Sequence, residues 1–184
     1  MDLAFAVPLA IVALPICLAL MVLIRLESPG APLFVQERVG RGKKPFKIYK
    51  LRTMVEGTPD IASHHANSVS ITLLGRALRR LKLDELPQLL NVIAGSMSLI
   101  GPRPCLYSQT ELIAERDKRN LYALRPGVTG PGQLRGIDMS TPALLAEIEA
   151  QYFASHSVVR DLDLLFRTVL GGGTGDAVKV DGRA

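Results

Sequence analysis

A chain of 184 residues with 48% hydrophobic and 21% charged residues can bury one domain-sized core and still carry a membrane element. The formal net charge of +5 suits anionic partners such as phospholipid or nucleotide, whereas 5% aromatics and no Trp leave too few stacking platforms for a nucleic-acid binder. Cys17 and Cys105 belong to neither a metal-ligand nor a C-x-x-C spacing, and both read as inert thiols.

From Leu3 to Ile24 no charged residue interrupts 22 positions, so a helix there would be about 33 Å long, enough for a hydrocarbon core. A cleavable signal peptide fits poorly, because no basic stretch precedes the run and Arg25-Leu26-Glu27 stands where small residues belong. Pro15 has no N–H for the carbonyl of Ile11, so a bend is expected there, and the helix either spans or re-enters. Arg25, Arg38, Arg41, Lys43 and Lys44 follow closely while no Lys or Arg precedes, which puts everything after Arg25 in the cytoplasm.

Ser28 to Pro32 reads as a turn off the membrane surface. Leu33 to Val39 and Phe46 to Arg52 form a strand pair about the basic loop Gly40 to Lys44, with Lys47 or Lys50 presented alongside Arg52. Glu56 to Ser70 is polar and reads as a mobile loop, with His64 and His65 as solvated side chains. Leu73, Leu74, Ala77, Leu78 and Leu81 recur at helical spacing among Arg76, Arg79, Arg80 and Lys82, giving a basic amphipathic helix on the surface or in the headgroup layer.

A second helix is expected from Asp84 to Val92 or Ala94, with Pro87 in its first turn and the Asp84-Glu85 pair at its N-terminus. Gly101-Pro102-Arg103-Pro104 is a stiff loop, Glu111 to Ala123 a helix, and Arg125 to Gln133 a loop. Pro142 to Tyr152 is helical. Val158 to Leu170 is amphipathic and packs on the core or lies on the membrane, and the glycine-rich end from Gly171 is a flexible tail without the Lys-Ser/Thr of a phosphate loop.

Adjacent acids at a helix start are ordinarily caps. Here Arg79, Arg103 and Arg125 flank them, two in proline-stiffened loops, an arrangement suited to fixing phosphate oxygens. A carboxylate attacking a diphosphate needs cations against like-charge repulsion, and arginine with Mg²⁺ held by Asp84 or Glu85 would supply them.

The runs Leu83 to Val92, Gly95 to Pro104 and Arg125 to Gly130 resemble, in order, the bacterial sugar transferases, and more narrowly the small monotopic polyprenyl-phosphate phosphoglycosyl transferases. Asp2 to Pro15, Leu26 to Gly30, Gln36 to Gly40 and Phe46 to Met54 fit the same pattern, so the resemblance covers most of residues 2 to 170. It implies an α+β, mainly helical fold with an N-terminal re-entrant membrane helix over residues 1–27, a small β-hairpin and amphipathic interfacial helices. The catalytic domain then runs over 28–170 and the tail over 171–184, at the cytoplasmic face of a bacterial inner membrane.

By the same resemblance, Asp84 is the covalent nucleophile in a ping-pong transfer of sugar 1-phosphate from a UDP-sugar to polyprenyl phosphate, an early membrane step of glycoconjugate or exopolysaccharide synthesis. Glu85 binds Mg²⁺ or handles proton and charge. Arg79 and Arg103 clamp phosphate oxygens, and Lys50, Arg52, Arg125 and Gln133 complete the candidate phosphate- and nucleotide-binding set. The family's re-entrant bend is a Ser-Pro pair, and this chain has Leu14-Pro15 in its place. The segment Gly130 to Asp138 also departs from the family pattern, which bears on donor specificity.

Overall fold

The computed structural model describes residues 2–58, 70–155 and 157–170. The expected loop around His64 and His65 and the tail from Gly171 fall outside the described residues, apart from the loop's two ends.

Helix α1, Asp2–Glu27, runs as one helix through Pro8 and Pro15. It is long and apolar enough to cross a membrane, and little of it is buried. Its buried side is narrow: Ala6 and Ala13 pack into a core with Ile48, Leu89, Val92, Met97 and Leu99, and Ile24 closes a second cluster with Leu51 and Leu78. Small residues on that stripe let the helix lie close to the body. The remaining faces expose Phe5, Ile11, Val12, Leu18, Val22 and others, an apolar surface suited to lipid.

Strands β1, Leu33–Val39, and β2, Pro45–Leu51, pair antiparallel with Phe34 opposite Lys50, Gln36 opposite Ile48 and Arg38 opposite Phe46. The hairpin predicted from the alternation is therefore present. It departs from simple alternation in being buried on both faces at each end, where Arg38 and Val39, and Lys50 and Leu51, are all under 10% exposed. Thr72 caps α2, Leu73–Arg80, by accepting the Gly75 N–H at 2.9 Å.

Beyond α2 the chain makes a tight turn over Leu83–Glu85, entered through Lys82 in the left-handed region at φ 57°, and α3, Gln88–Ile93, follows. The expected helix thus starts four residues late. Pro87 has no N–H to donate to Leu83, so the Leu86 N–H closes the turn on Leu83 at 3.3 Å, and the α-helical ladder begins only after the proline. The acids sit in that turn and not on the first turn of α3.

Strand β3, Ser98–Ile100, lies parallel to β4, Gly127–Thr129, with α4, Thr110–Lys118, between them in sequence. The predicted helix over Glu111 to Ala123 ends early because Asn120 takes φ 54°, and a single tight turn over Leu121–Ala123 follows. Short α5, Pro131–Leu134, leads to α6, Pro142–Ala154, and α7, Val158–Val169. Helix α7 packs on the core: Leu164 is buried with Ala6 and Ala13 of α1, while Val158, Leu162 and Phe166 face outward.

Candidate active site

The turn between α2 and α3 brings Asp84 and Glu85 inside the protein, 4% and 8% exposed. Burying a carboxylate is costly unless charge partners and hydrogen bonds meet it. For Glu85 these come from two directions. Arg103 donates to Oε1 at 2.6 Å, and Lys50 Nζ lies 3.5 Å from the same oxygen. Lys50 arrives from β2 and Arg103 from the loop after β3, so residues 35 and 18 positions away from Glu85 meet on one atom.

Each of these cations is held by the fold. Lys50 shares a face of the hairpin with Gln36 and Arg38, and all three are buried. Arg38 donates to Gln36 Oε1 at 2.7 Å and to the Pro104 carbonyl at 3.3 Å. The neighbouring carbonyl, that of Arg103, accepts from Arg116 at 2.8 Å. Arg116 is itself paired in a fork with Glu149, at 2.8 and 2.6 Å, and both side chains are 2% exposed. Two guanidiniums from opposite sides therefore grip adjacent carbonyls of the loop and aim the Arg103 side chain at Glu85.

Glycines weld that loop to the next. A side chain carbon on Gly101 would lie 2.3 Å from the Arg125 carbonyl, and one on Gly127 would lie 2.0 Å from the Gly101 nitrogen. The close approach lets Gly101 N–H reach Thr129 at 3.0 Å and Gly127 N–H reach Pro102 at 2.9 Å. The two proline-rich runs are consequently one structural unit.

The other candidate residues separate into distinct places. Arg79, in the last turn of α2, donates through Nε to Thr53 Oγ1 at 2.8 Å, and Thr53 is buried on the segment leaving β2. Arg52 turns toward α1, donating to Ser28 O at 2.8 Å, to Ser28 Oγ at 3.0 Å and to the Pro29 carbonyl, so its guanidinium holds the chain at the end of α1. Arg125 is exposed. Gln133 donates to the Val128 carbonyl at 3.3 Å and lines a cleft of about 20 Å³ with Arg103 and Glu149, a space of water size and too small for a sugar.

Sequence reasoning gave no place in the site to Lys82, Thr53 or the Arg116–Glu149 pair. Burial depresses the Lys82 ammonium below the usual lysine range, while the nearby Glu85 carboxylate pulls it back up and Arg103 pushes it further down. A lysine in the left-handed region two residues before an acid is visible only once the turn is known. Arg116 and Glu149 lie on two helices far apart in sequence, with nothing local to pair them.

Among the described residues no group of three or more His, Cys, Asp or Glu side chains converges as a metal cage. The Asp84-Glu85 pair nevertheless fits Mg²⁺, which takes one or two carboxylates and completes its shell with water and substrate phosphate. What the arrangement offers chemically is a pair of buried carboxylates, one of them met by two cations, in a protein whose α1 has outer faces that suit lipid.

The bacterial sugar transferase family matches residues 1–173. A UDP-glucose:undecaprenyl-phosphate glucose-1-phosphate transferase of Caulobacter vibrioides is 39% identical over 180 residues, covering 92% of this chain and 67% of the relative. The exopolysaccharide production protein PSS of Rhizobium leguminosarum bv. phaseoli is 39% identical over 92% of this chain and 91% of its own length. A UDP-N-acetylgalactosamine-undecaprenyl-phosphate N-acetylgalactosaminephosphotransferase of Aeromonas hydrophila is 35% identical over 92% of this chain, which spans only 42% of that longer protein.

Proposed function

Because the chain belongs to the bacterial sugar transferase family, we propose that it transfers a sugar 1-phosphate from a UDP-sugar to a polyprenyl phosphate, with Asp84 as nucleophile. The observation that carries the reading is the buried Asp84-Glu85 turn with Lys50 and Arg103 converging on Glu85. The relatives' names supply the donor and acceptor classes.

In the first half-reaction an Asp84 carboxylate oxygen attacks the β-phosphorus of the donor. The bond from that phosphorus to the bridging oxygen breaks, and UMP leaves with the electron pair. In the second, an oxygen of the acceptor phosphate attacks the phosphorus on Asp84, the carboxylate is released, and polyprenyl diphosphate-sugar forms. Dividing the transfer lets a water-soluble donor and a lipid acceptor use one carboxylate in turn.

Arg103, aimed by its two backbone clamps, meets phosphate oxygens and offsets the charge that develops on them. Lys50 shares that work from β2. Glu85, already engaged by both cations, keeps them in place between turnovers. Mg²⁺ held by oxygens of Asp84 or Glu85 supplies further positive charge against the diphosphate when bound. Arg79, in the last turn of α2, clamps phosphate oxygens with Arg103, and Arg125 completes the phosphate and nucleotide set. The anionic surface of the bilayer's cytoplasmic leaflet is the setting in which donor and acceptor meet.

The test is incubation of the protein in nanodiscs with Mg²⁺ and individual UDP-sugars, without acceptor, followed by intact mass measurement. A phosphosugar adduct on the wild type that is absent from Asp84→Asn supports the reading and identifies the donor. Acceptor-dependent turnover with no adduct at any time would replace it with a direct, single-displacement transfer.

A further inference from the structure

A second cationic site lies on the far side of α5. Residues Gly132 and Gln133 of that short helix line the cleft shared with Arg103 and Glu149, whereas Pro131, Leu134 and Arg135 face an open groove of about 590 Å³ between α5, α6 and α7. Neither Asp84, Glu85, Lys50 nor Arg103 borders this groove.

Its chemistry is that of an amphiphile's mould. Arg135, Arg160 and Arg167 line it against a single carboxylate, Asp163, so positive charge is in excess by two. Arg160 is fixed in advance, donating to the Ser155 carbonyl at 2.7 Å and lying 5.2 Å over the Tyr152 ring. Arg167 is paired with Asp163 at 2.9 Å, and Arg135 has no side-chain partner among the described residues. Leu134, Leu164 and Leu170 supply apolar wall between these heads.

The groove opens onto an apolar stripe. Val158, Leu162, Phe166 and Leu170 recur once per turn along α7 and are 41–70% exposed. Leu164, at the buried wall of the groove, joins the core cluster that also holds Ala6 and Ala13 of α1, so one face of α7 is held by the protein body while the stripe stays exposed. A phosphate head among the three guanidiniums would leave its acyl chains free to lie along the stripe.

We propose that this groove binds one anionic phospholipid of the bilayer, headgroup against Arg135 and Arg167 and chains along α7, at a site separate from the carboxylate turn. Charge complementarity selects the occupant. A zwitterionic lipid would oppose the uncompensated arginines with its own cation, whereas an anionic head neutralises them.

Native mass spectrometry of the full chain in detergent, with added phosphatidylglycerol or phosphatidylcholine of equal chain length, tests this without reference to turnover. The expected result is one phosphatidylglycerol retained per chain where phosphatidylcholine is stripped, with affinity weakened about tenfold or more in Arg135→Gln/Arg167→Gln. The exposed single variant Arg135→Gln, checked for an unchanged circular dichroism spectrum, serves if the double variant misfolds. Equal retention of the two lipids, or unchanged retention in the variants, overturns the proposal. Displacement by inorganic phosphate alone, or by polyprenyl phosphate at matched concentration, reassigns the groove to free phosphate or to the acceptor and overturns it as well.

Discussion

Asp2, at the start of α1, accepts through Oδ1 a hydrogen bond from the Ser98 hydroxyl at 3.1 Å, and the Leu99 N–H lies 3.4 Å from the same oxygen. At the other end of the helix Glu27 Oε1 accepts the Leu74 N–H at 2.9 Å and Arg25 donates to Gly30 at 3.1 Å. Both ends of the helix are thus tied to one body, and that body carries buried carboxylates and a polar loop system that hydrocarbon would not tolerate. We propose on this ground that the helix enters and leaves by the same face, with Leu14 where the family's serine would be. Cysteines placed singly at Leu3 and Ala31, in a Cys17→Ser/Cys105→Ser background, are expected to react with an impermeant thiol reagent from the cytoplasmic side alone. Labelling of the Leu3→Cys protein from the opposite side would show a spanning helix.

The weld between the two proline-rich loops should be intolerant of a single methyl group. Gly127→Ala puts a carbon about 2.0 Å from the Gly101 nitrogen, a backbone atom that cannot swing aside. We expect a loss of at least about 2 kcal/mol in denaturant unfolding, together with loss of transfer because the Arg103 loop shifts. Gly136→Ala serves as the comparison: its φ of 67° is strained for alanine, but nothing lies within 4 Å of the added carbon. The Gly136 variant should therefore keep its activity far better than the Gly127 variant.

The hairpin, α2, α6, α7 and the membrane helix were legible because each is long enough for its periodicity to show. The carboxylate turn was only half legible: Asp84, Glu85, Lys50 and Arg103 could be named as candidates, but their convergence depends on β2 and the loop after β3 meeting across the chain. Strands β3 and β4 have three residues each, too few for any alternation to emerge, and the glycines that press their loops together look in sequence like ordinary turn residues. Arg52 shows the opposite limit. It was named with the candidate phosphate- and nucleotide-binding set, and the fold places its guanidinium on the Ser28 hydroxyl and the Ser28 and Pro29 carbonyls at the end of α1, contacts that only the packing of that helix reveals.

Tyr152 gives a pH signature for the corner between α6 and α7. Its hydroxyl donates to Asp161 at 2.8 Å, and burial followed by the Asp161 carboxylate holds the phenol well above the usual tyrosine range. The folded state therefore keeps this proton after the unfolded chain has lost it near pH 10. Since folded protein binds more protons in that window, stability contributed by Tyr152 is present below the ordinary phenol value and is lost as pH rises toward the folded one. Unfolding of the wild type and of Tyr152→Phe, compared from pH 8 to the alkaline limit of the fold, should show the gap between them narrowing or reversing only above about pH 10. A gap that does not vary with pH would mean that the hydroxyl titrates alike in both states.

The Arg116–Glu149 pair separates positioning from stability. Both groups are buried, and removing one partner leaves the other charged and unmatched, so Arg116→Met or Glu149→Leu alone should cost about 3–5 kcal/mol. The double variant Arg116→Met/Glu149→Leu replaces the pair with apolar volume and should recover most of that loss. Activity should not recover with it, because the Arg103 carbonyl has still lost its donor at 2.8 Å and the side chain proposed to meet phosphate is no longer aimed. The expected pattern is a near-normal unfolding midpoint with kcat lowered about 100-fold and a smaller change in KM. If the double variant regained both stability and turnover, the backbone clamp from Arg116 would have no part in placing Arg103, and Arg38 at Pro104 would be sufficient to hold the loop.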